Sequence, residues 1–304
     1  MAKRYPSSIL VSCEVPWDEN QKLIEHTFRA EIRDTLELYN NLYIFGTAGE
    51  GYAITLSQFK HIVKIFREET DKPGVHPMVG VISMSTGLVV EKIATAYDIG
   101  FRVFQISLPP WGTLTDNEYI TYFKDVCGTF PDAKFLHYNL PRSGRVLLTE
   151  DYKRIEASVP NLVGTKFTSA DPDECRKLTT QTALQHFLSE RNYPFGRIHG
   201  ECSILASYGV LFPRKTKKLF DLGTAGEFEK SYQVAIEISE AASTFFAPTI
   251  GKARRMDGAF DKMIVRASGT DMPLRMLSPY DGFDDATYQA CISGLKSKHP
   301  NMLG

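Results

Sequence analysis

Asn161-Leu162-Val163-Gly164-Thr165-Lys166-Phe167 reads as an apolar strand that carries a lysine near its end. Strand side chains alternate, so Leu162, Gly164 and Lys166 are expected on one face, with Lys166 delivered into the interior. An ammonium taken out of water is costly unless it is paired or neutralised, and desolvation lowers its pKa. A lysine lowered toward neutrality is a nucleophile that can form a Schiff base with a carbonyl substrate. The alternative is a strand-end lysine that snorkels to solvent or pairs with an acidic neighbour.

Outward from this segment, short β-rich runs recur along the chain. The sequence predicts strands at Ile9–Cys13, Leu42–Thr47, Met78–Ile82, Arg102–Ser107, Lys134–Asn139, Asn161–Phe167 and Arg197–His199, with a last one near Gly209–Phe212. Helix signals fill most of the intervals. Thr55-Leu-Ser-Gln-Phe opens a helix through Ile62, Ile65 and Phe66. Ser85 and Thr86 precede another, with Val89, Val90, Ile93, Ala94 and Tyr97 at helical spacing and Gly100 at its close. Thr115-Asp-Asn-Glu118 has the form of a capping box, and Thr149-Glu-Asp opens a fourth helix. Alternation at roughly 25 to 35 residues per unit argues for a parallel sheet with right-handed crossovers.

Eight such units close into a (β/α)8 TIM barrel. An open doubly wound sheet is the competing architecture, but no G-x-G-x-x-G follows the first strand. After about residue 224 the pattern is helical alone: Ala225–Phe246, about Lys252–Ala267 and about Asp284–Lys296. Residues 1–223 are therefore expected to form the barrel. Residues 224–304 are expected to form a helical extension packed on it.

The bulk numbers exclude several function classes. At 304 residues and 43% hydrophobic content the chain can bury a sizeable core. Thirty-five basic residues against 36 acidic ones give a formal net charge of −1, so nothing electrostatic favours nucleic acid or an anionic membrane. No apolar run approaches a membrane span, and Met-Ala-Lys-Arg-Tyr-Pro leads into no signal-peptide core. Cys13, Cys127, Cys175, Cys202 and Cys291 are scattered with no CxxC pair, which suits reduced thiols in a cytoplasmic protein. No His/Asp/Glu spacing resembles a metal site, and no cofactor is expected.

In a TIM barrel the active site lies at the C-terminal ends of the strands. Lys166, Tyr138 and Thr47 all fall there. Tyr138 shares a face with Leu136, and Thr47 with Phe45 and Tyr43. Singly, Tyr138 reads as a core aromatic with a satisfied hydroxyl and Thr47 as a cap. Together at one rim they form a candidate site. The loop Gly46-Thr-Ala-Gly-Glu-Gly51 lacks the Gly-Lys-Ser/Thr ending of a nucleotide loop, but its backbone N–H groups can hold a small carboxylate. Arg142, in Pro141-Arg142-Ser143-Gly144, can lie over a substrate carboxylate or belong to the surface. Glu50 is expected to organise its loop, and His137 to pack against a helix.

In this order, Gly46-Thr-Ala-Gly-Glu50, Tyr138-Asn-Leu-Pro141 followed by Gly144, and Asn161-Leu-Val-Gly-Thr-Lys166 resemble the N-acetylneuraminate lyase/dihydrodipicolinate synthase family of class I aldolases. The likeness in layout runs from Val15-Pro16-Trp17 through the helical tail. It implies an imine between Lys166 and the ketone of pyruvate or a related 2-oxo acid. It also implies Tyr138 as acid/base, and Thr47 with the Ala48 N–H on the carboxylate. Three departures stand out. Ala48 replaces the family's second hydroxyl residue, and Leu108-Pro109-Pro110-Trp111-Gly112 stands where dihydrodipicolinate synthases carry a tyrosine pair. The Pro141–Gly144 loop is also one residue shorter than the common form. Trp111 points to a bulkier or more apolar pocket for the second substrate.

The first expectation is thus a lyase, either aldolase or dehydratase, acting on a 2-oxo acid such as a 2-keto-3-deoxy sugar acid. A second is dihydrodipicolinate synthase itself, condensing pyruvate with aspartate semialdehyde. A third, of another class, is a non-catalytic barrel that binds a 2-oxo acid. The resemblance further implies a homo-oligomer, a tetramer by analogy, with Trp111 at an interface.

Overall fold

The computed structural model describes residues 2–167 and 171–302. Eight strands form a closed barrel in sequence order: β1 (Ile9–Ser12), β2 (Asn41–Ile44), β3 (His76–Val81), β4 (Val103–Ile106), β5 (Lys134–Asn139), β6 (Leu162–Phe167), β7 (Gln185–Ser189) and β8 (Ser203–Leu205). Each pairs in parallel with the next, and β8 returns to β1 through Ile9↔Ile204 and Leu10↔Leu205. Helices follow the strands: α1 (Glu25–Leu38), α2 (Leu56–Thr70), α3 (Thr86–Asp98), α4 (Asp116–Thr129), α5 (Thr149–Glu156), α6 (Pro172–Gln181), α7 (Tyr193–His199) and α8 (Pro213–Thr224). The fold is a TIM barrel. Its larger apolar cluster fills the space between strands and helices. A smaller one, including Leu10, Tyr43, Met78, Leu136, Val163 and Phe187, fills the barrel interior.

Local chemistry sets the helix starts. Thr55 Oγ1 accepts from the Gln58 N–H at 3.1 Å while Gln58 Oε1 accepts from the Thr55 N–H at 2.9 Å, closing a reciprocal cap on α2. Glu118 Oε2 accepts from the Thr115 N–H at 2.7 Å and begins α4 in the same way. Ser85 Oγ accepts from the Leu88 N–H to start α3.

The last two strands lie elsewhere than the sequence predicts. Arg197–His199 is the final turn of α7, which Pro194 helps to open. Gly209–Phe212 is a turn into α8, with the Leu211 and Phe212 amides both donating to the Tyr208 carbonyl. The true β7, Gln185-His-Phe-Leu-Ser189, hides because polar residues are buried in it. His186 takes Thr165 on Nδ1 and Thr182 on Nε2, each at 2.7 Å, so it is satisfied beneath the helices. The true β8 is only three residues long.

Strand alternation also breaks in two places. The β5–β6 register shifts between Phe135 and Leu136, so that Phe135 faces Leu162 but Leu136 faces Gly164. Leu162 therefore joins the outer cluster and Val163 the inner one, and Leu162 does not share the face of Gly164 and Lys166. β2 ends at Ile44. Phe45 has φ +60 and stacks on Phe59 with ring centroids 5.3 Å apart, so it leaves the face of Tyr43.

Three helices follow the eighth βα unit: α9 (Phe228–Phe246), α10 (Asp257–Ser268) and α11 (Asp285–Lys298). α9 packs on α8 and α7, and α11 packs on α9. α9 starts three residues later than predicted, after Gly226 at φ +81, and α10 starts five later. Among the described residues no helix is long and apolar enough to cross a membrane.

Candidate active site

The paired strands β5 and β6 set Tyr138 directly beside Lys166. Lys166 is 5% exposed, and its Nζ donates to the Tyr43 hydroxyl at 2.8 Å. The same nitrogen lies 4.0 Å from the Tyr138 ring centroid and 4.6 Å from that of Tyr43. Two aromatic faces and a phenol oxygen thus take the place of bulk water around the charge. Thr47 Oγ1 donates to the Tyr138 hydroxyl at 3.0 Å. Lys166, Tyr138 and Thr47, nominated from sequence, therefore meet at one rim.

Gly46 makes the approach possible. A Cβ built there would sit 2.8 Å from Cε2 of Tyr43 and 3.6 Å from Nζ of Lys166, so any larger residue would displace the ring that holds the lysine. The loop that follows is anchored by Glu50, at φ +56. Glu50 Oε1 accepts from Trp17 Nε1 at 2.9 Å and from Lys262 Nζ at 2.6 Å, and Oε2 accepts from the Leu277 N–H at 2.7 Å. Both ends of the Glu50–Lys262 pair are fully buried. The carboxylate organises its loop, as the sequence predicts, and ties it to α10 and to the segment beyond it.

The rim opens into a cavity of about 550 Å³, whose walls include Tyr43, Ala48, Tyr138, Arg142, Lys166 and Asp261. Ser12, Ser207, Tyr208 and Arg254 add polar groups, and Phe246 and Phe260 add apolar ones. A larger open cleft, of about 750 Å³, runs from Gln21 to Asp285 and contains neither Lys166 nor Tyr138. The smaller cavity is the candidate site, because buried polar groups converge on it.

Arg142 reaches the cavity wall but is engaged there. Its guanidinium holds Asp257 of α10 through paired hydrogen bonds of 2.8 and 2.7 Å. Trp111 is 86% exposed and does not line the cavity, so the structure does not bring it to the other candidates. His137 packs outward: its Nδ1 lies 2.8 Å from the Tyr152 hydroxyl and its ring meets Phe123 edge-on. Burial pushes it down to about 3, so it is neutral.

The charge state of Lys166 differs from the sequence-based expectation. Burial works against the ammonium, but the phenol oxygens of Tyr138 and Tyr43 favour it more, and the balance holds Lys166 above the ordinary lysine value. Burial also pushes Tyr43 up to about 12, so near neutrality it is a neutral phenol. The free site is an ammonium held against the neutral Tyr43 phenol. Lys166 becomes a nucleophile only by passing a proton on, and hydroxyl groups surround it.

Sequence reasoning did not single out Tyr43, Ser12, Ser207, Tyr208, Arg254 or Asp261. For Tyr43 a signal existed, since it lies on an interior strand one turn of chain before Thr47. Arg254 and Asp261 come from the helical tail, whose docking over the barrel mouth no local pattern announces. Among the described residues no cluster of His, Cys, Asp and Glu could hold a metal ion.

The model of the dihydrodipicolinate synthetase family matches residues 5–250. Solved structures with the same fold span almost the whole chain. YagE, a prophage protein of the dihydrodipicolinic acid synthase family from E. coli K12 solved in complex with pyruvate, superposes with a TM-score of 0.83 at 16% identity, covering 96% of this chain and 98% of its own. A putative dihydrodipicolinate synthase family protein from Coccidioides immitis gives 0.80 at 22% identity, covering 98% and 97%. A catalytic-lysine mutant of Ruminococcus gnavus sialic acid aldolase gives 0.83 at 14% identity, covering 100% of both chains.

Proposed function

The chain belongs to the dihydrodipicolinate synthetase family, whose members are class I aldolase-type lyases, and from that premise we propose that it works on pyruvate or a related 2-oxo acid through an imine at Lys166. One observation carries the reading. A buried lysine at the end of a barrel strand, 2.8 Å from one phenol oxygen and 4.0 Å from the ring of a second, opens onto a cavity.

The residues divide the work as follows. The Lys166 nitrogen, once deprotonated, attacks the C2 carbonyl, and loss of water gives a protonated imine. Thr47 Oγ1 and the Ala48 N–H hold the substrate carboxylate. In cleavage, Tyr138 takes the proton from the C4 hydroxyl, the C3–C4 bond breaks, and its electron pair flows into the iminium to leave an enamine. The aldehyde departs, C3 is protonated, and water returns the 2-oxo acid and the free lysine. In dehydration the same electron sink lets a proton leave C3 to give the enamine, which then expels the C4 hydroxyl as water with proton help. Tyr43 supports the ammonium and the iminium that replaces it, both positive at the same nitrogen.

Preferred substrates are 2-keto-3-deoxy sugar acids, and the reaction is cleavage or dehydration. The competing reaction, condensation of pyruvate with aspartate semialdehyde, is disfavoured by Leu108-Pro109-Pro110-Trp111-Gly112, which supplies no tyrosine to a relay. Borohydride reduction with pyruvate separates an imine former from a barrel that only binds. A product assay, pyruvate release from sugar acids against consumption of aspartate semialdehyde, separates the two reactions.

A further inference from the structure

α10 carries two acidic residues one turn apart, Asp257 and Asp261, and both line the cavity. Their situations differ. Asp257 is held on both oxygens by Arg142. Asp261, among the described residues, has no hydrogen-bond or ion-pair partner. It nonetheless feels Lys166: the carboxylate favours the ammonium, and the ammonium favours the carboxylate. An unpartnered carboxyl group therefore faces the cavity that holds the reactive nitrogen.

That group has a defined chemical preference. Desolvation, with Glu14, Asp257 and Glu190 adding negative potential, holds its pKa well above the usual carboxylate range. A carboxyl group accepts a hydrogen bond from a hydroxyl in either charge state, and can donate one as well when it carries a proton. The cavity, at about 550 Å³, has room well beyond a three-carbon 2-oxo acid.

We propose that Asp261 is a specificity-determining residue that reads a hydroxyl on the substrate carbons beyond the reacting bond, so that hydroxylated aldehydes are the preferred partners of the pyruvate unit. The inference rests on the Lys166 imine proposed above.

Condensation of pyruvate with glyceraldehyde and with propanal tests it, because the two aldehydes have equal carbon chains and differ in hydroxyls. The wild-type protein is expected to favour glyceraldehyde. Asp261→Leu is expected to cut that preference roughly tenfold or more, glyceraldehyde use falling by that much more than propanal use. Asp261→Asn, which keeps a donor and an acceptor, is expected to recover part of it. Pyruvate trapping at Lys166 by borohydride stays intact in both variants. A wild type with no preference for glyceraldehyde overturns the inference, as does a fall in both aldehydes together or an unchanged ratio in Asp261→Leu. A wild type that traps no pyruvate at Lys166 overturns the imine reading and this inference with it, whereas normal trapping with an unmoved ratio overturns this one alone.

Discussion

Lys166 sits among groups that steady its positive charge without neutralising it, and Tyr43 is the closest of them at 2.8 Å. Tyr43→Phe keeps the ring face and removes only the acceptor. Imine formation with pyruvate is expected to slow roughly tenfold to a hundredfold, as for loss of one hydrogen bond to a charged group, and stability to fall by about 1–3 kcal/mol because a buried donor loses its acceptor. Stopped reduction with borohydride at timed intervals measures it, and an unchanged rate would assign Tyr43 to packing alone. At this scale the sequence showed what ends an apolar run: Lys166 and Tyr138 are polar groups where strands reach the rim, and Thr47 follows a strand in a glycine-rich loop. Tyr43 was obscured because an aromatic within a strand reads as core. Asp261 was obscured because nothing in an isolated helix says that one of its acidic residues will line a cavity with a lysine 95 positions earlier.

Among the elements, α10 does the most to complete the site. It supplies Asp257 and Asp261 to the cavity wall and Lys262 to the loop that follows β2. The Glu50–Lys262 pair is fully buried, so removing one partner leaves a charge without compensation. Lys262→Met is expected to cost about 3–5 kcal/mol in urea unfolding. Adding Glu50→Gln to it is expected to cost less than the two single changes summed, because each single change strands the other group. A Lys262→Met protein within about 1 kcal/mol of wild type would remove the pair from the account of loop rigidity. The legible elements were those with local devices, such as the reciprocal caps at Thr55/Gln58 and Thr115/Glu118. β7 and β8 were not legible. One buries a glutamine and a histidine, the histidine satisfied by tertiary partners, and the other is too short to show a period. The shift in β6 register likewise depends on its neighbour β5, and no single strand encodes it.

For the molecule as a whole, the recurrence of strand and helix was enough to announce a closed barrel even with two strands misplaced, because six correct parallel units leave few other ways to cover both sheet faces. Burial within that barrel makes stability depend on pH. Desolvation pushes Glu14 and Glu190 up to about 7 each, from an ordinary value of 4.5. The folded protein then binds more protons than the unfolded chain between those values, so these groups lose stabilising effect as pH rises from about 4.5 through about 7. Glu190→Gln, whose side-chain oxygen can still accept from the Tyr208 N–H, is expected to gain stability relative to wild type across that window and to hold the gain above it. Unfolding midpoints at pH 5 and pH 8 measure the difference, and a constant offset would contradict it. The central claim is more direct to test on the intact chain, by mass spectrometry after borohydride reduction with and without pyruvate. The expected result is one pyruvate-dependent adduct per chain, mapped to Lys166 and absent from Lys166→Ala. No adduct with pyruvate or with a panel of 2-oxo acids would contradict the imine mechanism and leave a barrel that binds without reacting.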